Sequence, residues 1–375
     1  MSELDAAREA FEPVERLFRD QMAVQRLHPG AAIAVWRHGR LIFDLHGGLA
    51  DTQQGTPVAP DTLFVLFSST KPLASVAVLQ LVERGLLGLD DPVAKHWPGF
   101  ARNGKDAVTV RHVLTHRGGF PETPPLAASR WTDWPAVVAA LEDVTPRFAP
   151  GTVSAYHAVN HGWVCAELVH RVDGRPFPRY LREEITGPLG MHDTYAGLPD
   201  PALASRIARV HATEDTDDFW LGRTFNRLDV LQSITPAANG VSTARDMVRF
   251  YGALLGGGTL DGATILRPET VARATAVEVD AELDHALGLE MRRGLGFNLG
   301  GMAGSNLRFG SQTSERTFGH GGAGTSICWA DKDLDAAMVF IPNGFRSETT
   351  NVPRSRALSD AVRKACIALD HAGAK

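Results

Sequence analysis

Cysteine is scarce in this chain: only Cys165, Cys328 and Cys366 occur among 375 residues. Three scattered thiols cannot build a disulfide framework, and none forms a Cys-x-x-Cys pair, so a zinc or redox motif has no support. Each sits in an apolar stretch and reads as a small buried hydrophobe. A block of one charge sign is missing too. The 38 Lys and Arg and 43 Asp and Glu are interspersed and leave a formal net charge of −5. Nucleic acid and an anionic membrane surface therefore lack their electrostatic footprint. No apolar run approaches the ~20 residues that span a bilayer. The start, Met1-Ser2-Glu3-Leu4-Asp5, lacks the basic, apolar and small-residue regions of a secretory signal, so a cytoplasmic location is expected. There is no Gly-x-x-x-x-Gly-Lys-[Ser/Thr], and no Gly-x-Gly-x-x-Gly set in a strand-to-helix dinucleotide unit, so no cofactor is implied. His112/His116 and His157/His161 have the i, i+4 spacing of helical metal ligands. Without His-Glu-x-x-His or an obvious carboxylate partner, no metal site is expected.

What is present is the composition of a globular protein, 44% hydrophobic and 22% charged. Phe11, Val14, Leu17, Phe18 and Met22 mark one amphipathic helix across residues 4–26. Ala31–Trp36 and Leu41–Leu45 flank Arg37-His38-Gly39-Arg40, a hairpin signal. From Lys71 to about residue 235 the pattern is mainly helical: 74–85, 110–116, 136–141, 157–172 and 177–185. A helix start follows at Gly240–Asp246, capped by Ser242 or Thr243. Strand patterns return at 288–299, 317–320, 325–330 and 336–341, and a helix over 356–369 closes the chain. Sheet at both ends of the sequence predicts that the ends pair in space around a helical insert. The expected fold is α/β, an α+β sandwich with an antiparallel sheet flanked by helices. It reads as one domain, 1–375, with an α/β lobe from 1–67 and 236–375 and a mainly helical lobe from 68–235.

Ser68-Ser69-Thr70-Lys71 is the sequence's one Ser-x-x-Lys. On a helical turn, positions i and i+3 share a face, so the Lys71 amine can reach the Ser68 hydroxyl. A serine needs a base at hydrogen-bond distance to become a nucleophile. A lysine can serve once burial or nearby cations depress its pKa. The motif alone is weak, because average composition supplies about one per chain of this size. Its place, after strands and at the head of the apolar helix Leu73–Leu79, makes it informative.

Further motifs follow in order: Leu114-Thr115-His116-Arg117-Gly118-Gly119-Phe120, Ala155-Tyr156-His157-Ala158 and Phe318-Gly319-His320-Gly321-Gly322-Ala323-Gly324. The set resembles the serine β-lactamase and penicillin-binding-protein superfamily, and within it the class C β-lactamase-like family VIII carboxylesterases. The resemblance runs from about Pro29 to Asn343. It implies a β-lactamase/transpeptidase-like fold, Ser68 as nucleophile, Lys71 as its partner and Tyr156 as the general-base tyrosine, with a phenol lowered toward the working range by Lys71. It also implies an oxyanion hole from the Ser68 and Ala323 N–H groups, and a cleft lined by His320, Gly321 and Gly322, with His157 and Phe120 nearby. Whether Lys71 or Tyr156 takes the proton stays open.

Two departures stand out. The asparagine two residues after the tyrosine is Ala158, with Asn160 the candidate substitute beside Lys71. The Lys-Thr of the family's Lys-Thr-Gly strand is His320-Gly321, and a mostly neutral imidazole favours uncharged esters over β-lactams. The expected activity is hydrolysis of small-molecule esters with short acyl chains through an acyl-enzyme. The alternatives are β-lactamase, DD-peptidase, D-amino-acid amidase or acyltransferase chemistry at the same site, or a non-catalytic binding protein on this fold.

Overall fold

The structure, a computed structural model, describes residues 3–213, 219–301 and 307–373. Nine antiparallel strands form its main sheet. In chain order they are β1 (Gly30–Arg37), β2 (Arg40–Asp51), β3 (Thr56–Pro57), β4 (Val279–Asp284), β5 (Leu289–Arg293), β6 (Asn298–Leu299), β7 (Thr317–Gly321), β8 (Ile327–Asp331) and β9 (Ala336–Pro342). Their spatial order is β4-β5-β6-β7-β8-β9-β1-β2-β3. The two ends of the sequence meet at β9 and β1, where Ala31 pairs with Pro342 and Arg37 with Ala336.

β1 is buried on both faces, which explains its unbroken apolar run. Ala31, Ile33 and Val35 face one helical layer; Ala32, Ala34 and Trp36 face the other, as the two-residue strand period requires. The first layer is α1 (Glu3–Ala23) packed on α5 (Glu348–Gly373). Across the sheet lie α4 (Ala244–Leu255), α2 (Lys71–Glu83) and α3 (Asn160–Asp173). The hairpin turn takes His38 and Gly39 through φ +47° and +76°, the paired positive dihedrals of a type I′ turn. Thr243 caps α4, its hydroxyl oxygen accepting the Asp246 N–H at 3.1 Å. α2 is buried from Lys71 to Leu81, as a helix apolar all round must be.

Several elements depart from the sequence reading. The strand expected over 288–299 is two strands, parted at Gly294–Phe297, where Gly296 has φ +84°. β4 was not anticipated, because its polarity is inverted: Leu283 is exposed and Asp284 buried. The helix expected from His157 begins at Asn160, leaving Tyr156, His157 and Ala158 in a loop. The helix expected over 110–116 stops at Leu114, and His116 turns away with φ +59°.

Candidate active site

The turn that carries Ser68 is pinned on three sides. Phe67, just before it, has φ +48°, a conformation that costs a bulky residue roughly 1–3 kcal/mol and needs surrounding structure to enforce it. Its ring is gripped by Phe225 and Phe345, at centroid distances of 5.0 and 5.9 Å. Thr70 Oγ1 donates to Phe67 O at 2.7 Å and accepts the Gly240 N–H at 3.1 Å. Ser69 Oγ lies 2.9 Å from Ser326 Oγ and donates to His320 O at 3.1 Å. Ser326 Oγ in turn donates to Leu66 O at 2.8 Å. These bonds tie the Ser68 turn to β7.

Lys71 Nζ lies 3.1 Å from Ser68 Oγ. It donates to two backbone carbonyls, Ala158 O at 2.8 Å and Ala237 O at 3.1 Å. Asn160, the expected partner, is elsewhere: its amide donates to Phe120 O and Glu122 O, each at 2.8 Å. The missing asparagine is thus replaced by main-chain oxygens, which sequence identity does not reveal. Lys71 is fully buried. Burial drives its pKa well below the usual amine value, and the Arg293 charge adds to that push.

Tyr156 packs against Lys71, whose Nζ sits 4.7 Å from the ring centroid. The expected lowering of its phenol does not occur. Burial pushes it up to about 12, against opposing pulls from a hydrogen bond with Ser68 and from the Arg293 and Arg308 charges. Its backbone is held tightly. Asp284 Oδ1 accepts the Tyr156 N–H at 3.1 Å, His116 O accepts that of Ala155 at 2.9 Å, and His116 Nδ1 that of His157 at 3.1 Å. His116 therefore braces the loop, and neither i, i+4 histidine pair lies on one helix, since His116 and His157 both fall outside the helices that carry His112 and His161. No cluster suited to a metal ion occurs among the described residues.

β7 ends in His320-Gly321 beside this group. Burial, with the Lys71 charge, pushes the His320 imidazole down to about 3. Its Nδ1 lies 2.8 Å from Gly321 O, and its buried Nε2 has no partner among the described residues. A Cβ on Gly322 would lie 2.4 Å from Leu66 O and 3.2 Å from Phe67 Cβ, so the glycine lets strand and turn close up. At Gly321 the same space is taken by Arg308, whose Nη1 would be 2.5 Å from a Cβ and which donates to Gly322 O at 3.1 Å. Neither the Ser68 nor the Ala323 N–H has a hydrogen-bond partner among the described residues. The Gly319–Gly324 run has the glycine spacing of a dinucleotide loop, but it leads from β7 into β8 and opens no helix.

His157 and Phe120 do not face the cleft. Both are about 1% exposed. His157 Nε2 accepts the Phe120 N–H at 3.3 Å, and the Phe120 ring packs edge-on against Phe100 in the core. They support the wall behind Tyr156. Sequence reasoning missed Asp284, Arg293 and Arg308, since none belongs to a motif that spacing alone picks out.

A mixed α/β body with a large antiparallel sheet, and a Ser-Lys-Tyr group built round a buried lysine at the end of β7, is a β-lactamase/transpeptidase-like architecture. The family model described as Beta-lactamase matches residues 14–363, and the chain belongs to that family. The Esterase/beta-lactamase LipL of Mycobacterium tuberculosis is 30% identical over 363 residues, covering 90% of this chain and 82% of that protein. A penicillin-binding protein homologue from Caulobacter crescentus matches with a TM-score of 0.82 at 34% identity, covering 97% of this chain and 98% of its own. A family VIII carboxylesterase matches with a TM-score of 0.80 at 28% identity, over 96% of this chain and 98% of its own.

Proposed function

We propose that this protein is a serine carboxylesterase that hydrolyses small, uncharged esters of short acyl chain through an acyl-enzyme on Ser68. One observation carries the reading: Lys71 is held against Ser68 where its charged form is disfavoured. Its Nζ is fully buried, 3.1 Å from Ser68 Oγ and anchored on Ala158 O and Ala237 O. Burial pushes its pKa well below the usual amine value, so the neutral amine can take the hydroxyl's proton. Lys71 is then the base, and the neutral Tyr156 phenol is the proton donor beside it.

Ser68 Oγ attacks the ester carbonyl as its proton passes to Lys71, and the N–H groups of Ser68 and Ala323 receive the oxyanion. The ester C–O bond then breaks, and the alcohol leaves with a proton delivered from Lys71 through Tyr156. Water attacks the acyl-Ser68 carbonyl and gives its proton to Lys71. The acyl C–Oγ bond then breaks, Lys71 returns the proton to Ser68 Oγ, and the acid is released. No cofactor enters these steps, and the natural setting of the reaction is taken to be the cytoplasm.

The esterase names among the relatives support the substrate class. So does His320, which offers no charge to a carboxylate. A second reading, β-lactam hydrolysis, is favoured by the Arg308 guanidinium beside Gly321. Its ion pair with Glu348 counts against it.

The test is turnover of p-nitrophenyl acetate, p-nitrophenyl butyrate and nitrocefin by wild type and Ser68→Ala. The proposal expects both esters to outpace nitrocefin and Ser68→Ala to lose activity. Ester turnover that survives the substitution overturns the nucleophile; faster nitrocefin turnover overturns the substrate class.

A further inference from the structure

Beneath Tyr156 lies a buried ion pair that no step above uses. Arg293, on β5, and Asp284, at the end of β4, face each other at 2.7 Å with side chains 1% and 0% exposed. Isolated burial of such charges is expensive, and a pair of this kind usually needs a reason to persist. Its setting supplies one. Asp284 Oδ1 accepts the N–H groups of Tyr156 at 3.1 Å and of Ala286 and Leu287 at 2.9 Å each. Arg293 Nη1 donates to Ser154 Oγ at 2.5 Å, two residues before Tyr156. The Arg293 Cζ stands 5.9 Å from the centroid of the Tyr156 ring. One partner thus holds the main chain of the tyrosine while the other places a fixed positive charge beneath its ring.

We propose that Arg293 and Asp284 are positioning residues for the Ser68-Lys71-Tyr156 group: the carboxylate fixes the tyrosine's backbone, and the guanidinium holds a positive charge beside the ring against which Lys71 also packs. This rests on the reading of Lys71 as the base.

Other groups face the same space. Cys165 and His161 approach Lys71 from α3, His116 and His157 flank Tyr156 in the loops, His320 faces it from β7, and Arg308 lies beyond Gly321. The four histidines are pushed down by burial and so are neutral near pH 7, and burial pushes the Cys165 thiol up so that it stays protonated. Arg293 and Arg308 are then the cations of this set beside Lys71, and Arg308 is paired with Glu348. Arg293 lowers Lys71, His116, His157 and His320 alike, as a shared central charge should.

The two partners carry opposite charges, so removing one or the other should move Lys71 in opposite directions, which a purely structural pair would not do. Arg293→Met removes the cation, so Lys71 holds its proton to higher pH and the acid limb of kcat/KM should move up by about one pH unit. Asp284→Asn keeps an oxygen for the Tyr156 N–H but removes the opposing anion, so the limb should move down. Arg293→Lys keeps the charge, and its limb should stay near wild type while kcat falls. The profiles are measured with p-nitrophenyl butyrate and, in parallel, as the rate of Ser68 labelling by a fluorophosphonate, with circular dichroism to establish folding.

Opposite displacements of the limb support the proposal. An unmoved limb in a folded charge variant, or movement of both in one direction, overturns it. Should Arg293→Met fail to fold, Asp284→Asn decides by the same criterion. If wild type labels at Ser68 but does not turn over the ester, the substrate reading fails, while the labelling profiles still judge the ion pair.

Discussion

At the scale of single residues, Lys71 and Asn160 separate chemistry from scaffolding. Lys71→Met removes the proposed base and should lower kcat/KM by about 10³-fold, within the usual span for general-base catalysis, with the fold intact. Asn160→Ala should act differently. It strips two hydrogen bonds from Phe120 O and Glu122 O and should cost about 2 kcal/mol in urea unfolding. Lys71 keeps both its carbonyls, so the pH profile of kcat/KM should not move. A displaced profile in Asn160→Ala would return that side chain to the catalytic group. Ser68, Lys71 and Tyr156 were legible in the sequence because spacing on a helical turn and order along the chain define them. The contacts of Lys71 were not, because Ala158 and Ala237 contribute backbone oxygens, which every residue has.

At the scale of elements, adjacent glycines on β7 and its end have unlike duties. A methyl at Gly322 would meet Leu66 O and Ser326 Oγ at 2.4 and 2.3 Å, and a backbone oxygen cannot step aside. Gly322→Ala should therefore prise β7 from the nucleophile turn, costing about 1–3 kcal/mol of stability and much of kcat. A methyl at Gly321 meets the far end of the Arg308 side chain, which can move. Gly321→Ala should fold within about 0.5 kcal/mol of wild type. Equal losses in thermal unfolding and turnover would refute this contrast. Elements with clear local signals, such as α1 by its helical spacing, β1 by its hairpin turn, α2 by its apolar run and α4 by its cap, could be read directly from the sequence. The β4–β5 hairpin could not, since it buries Asp284 and exposes Leu283. That reversed polarity follows from a tertiary demand, the hydrogen bond to Tyr156, that no local pattern encodes.

At the scale of the whole molecule, the joining of the two ends at β9 and β1 makes the sheet one cooperative body, and acid should test it through its histidines. His28, His116, His157, His161 and His320 are all pushed down, chiefly by burial. Each stays neutral in the folded chain, while the unfolded chain takes up a proton near pH 6.5. Their stabilisation is therefore complete above about 6.5 and is lost as pH falls toward about 3, where His157 and His320 protonate in place. Each contributes a slope of up to about 1.4 kcal/mol per pH unit. The unfolding midpoint in urea should be flat from pH 7 to 8 and fall steeply below 6; a flat response down to pH 4 would contradict burial of these rings. The central claim, an acyl group on Ser68 activated by a neutral Lys71, is tested most directly on the intact protein. Wild type is quenched in acid during turnover of p-nitrophenyl butyrate, weighed by mass spectrometry and mapped by peptide. The account predicts one butyryl group, carried on the peptide containing Ser68, absent from Ser68→Ala and formed far more slowly in Lys71→Met. A butyryl group on another residue during turnover, or an adduct that forms as fast in Lys71→Met as in wild type, would contradict it.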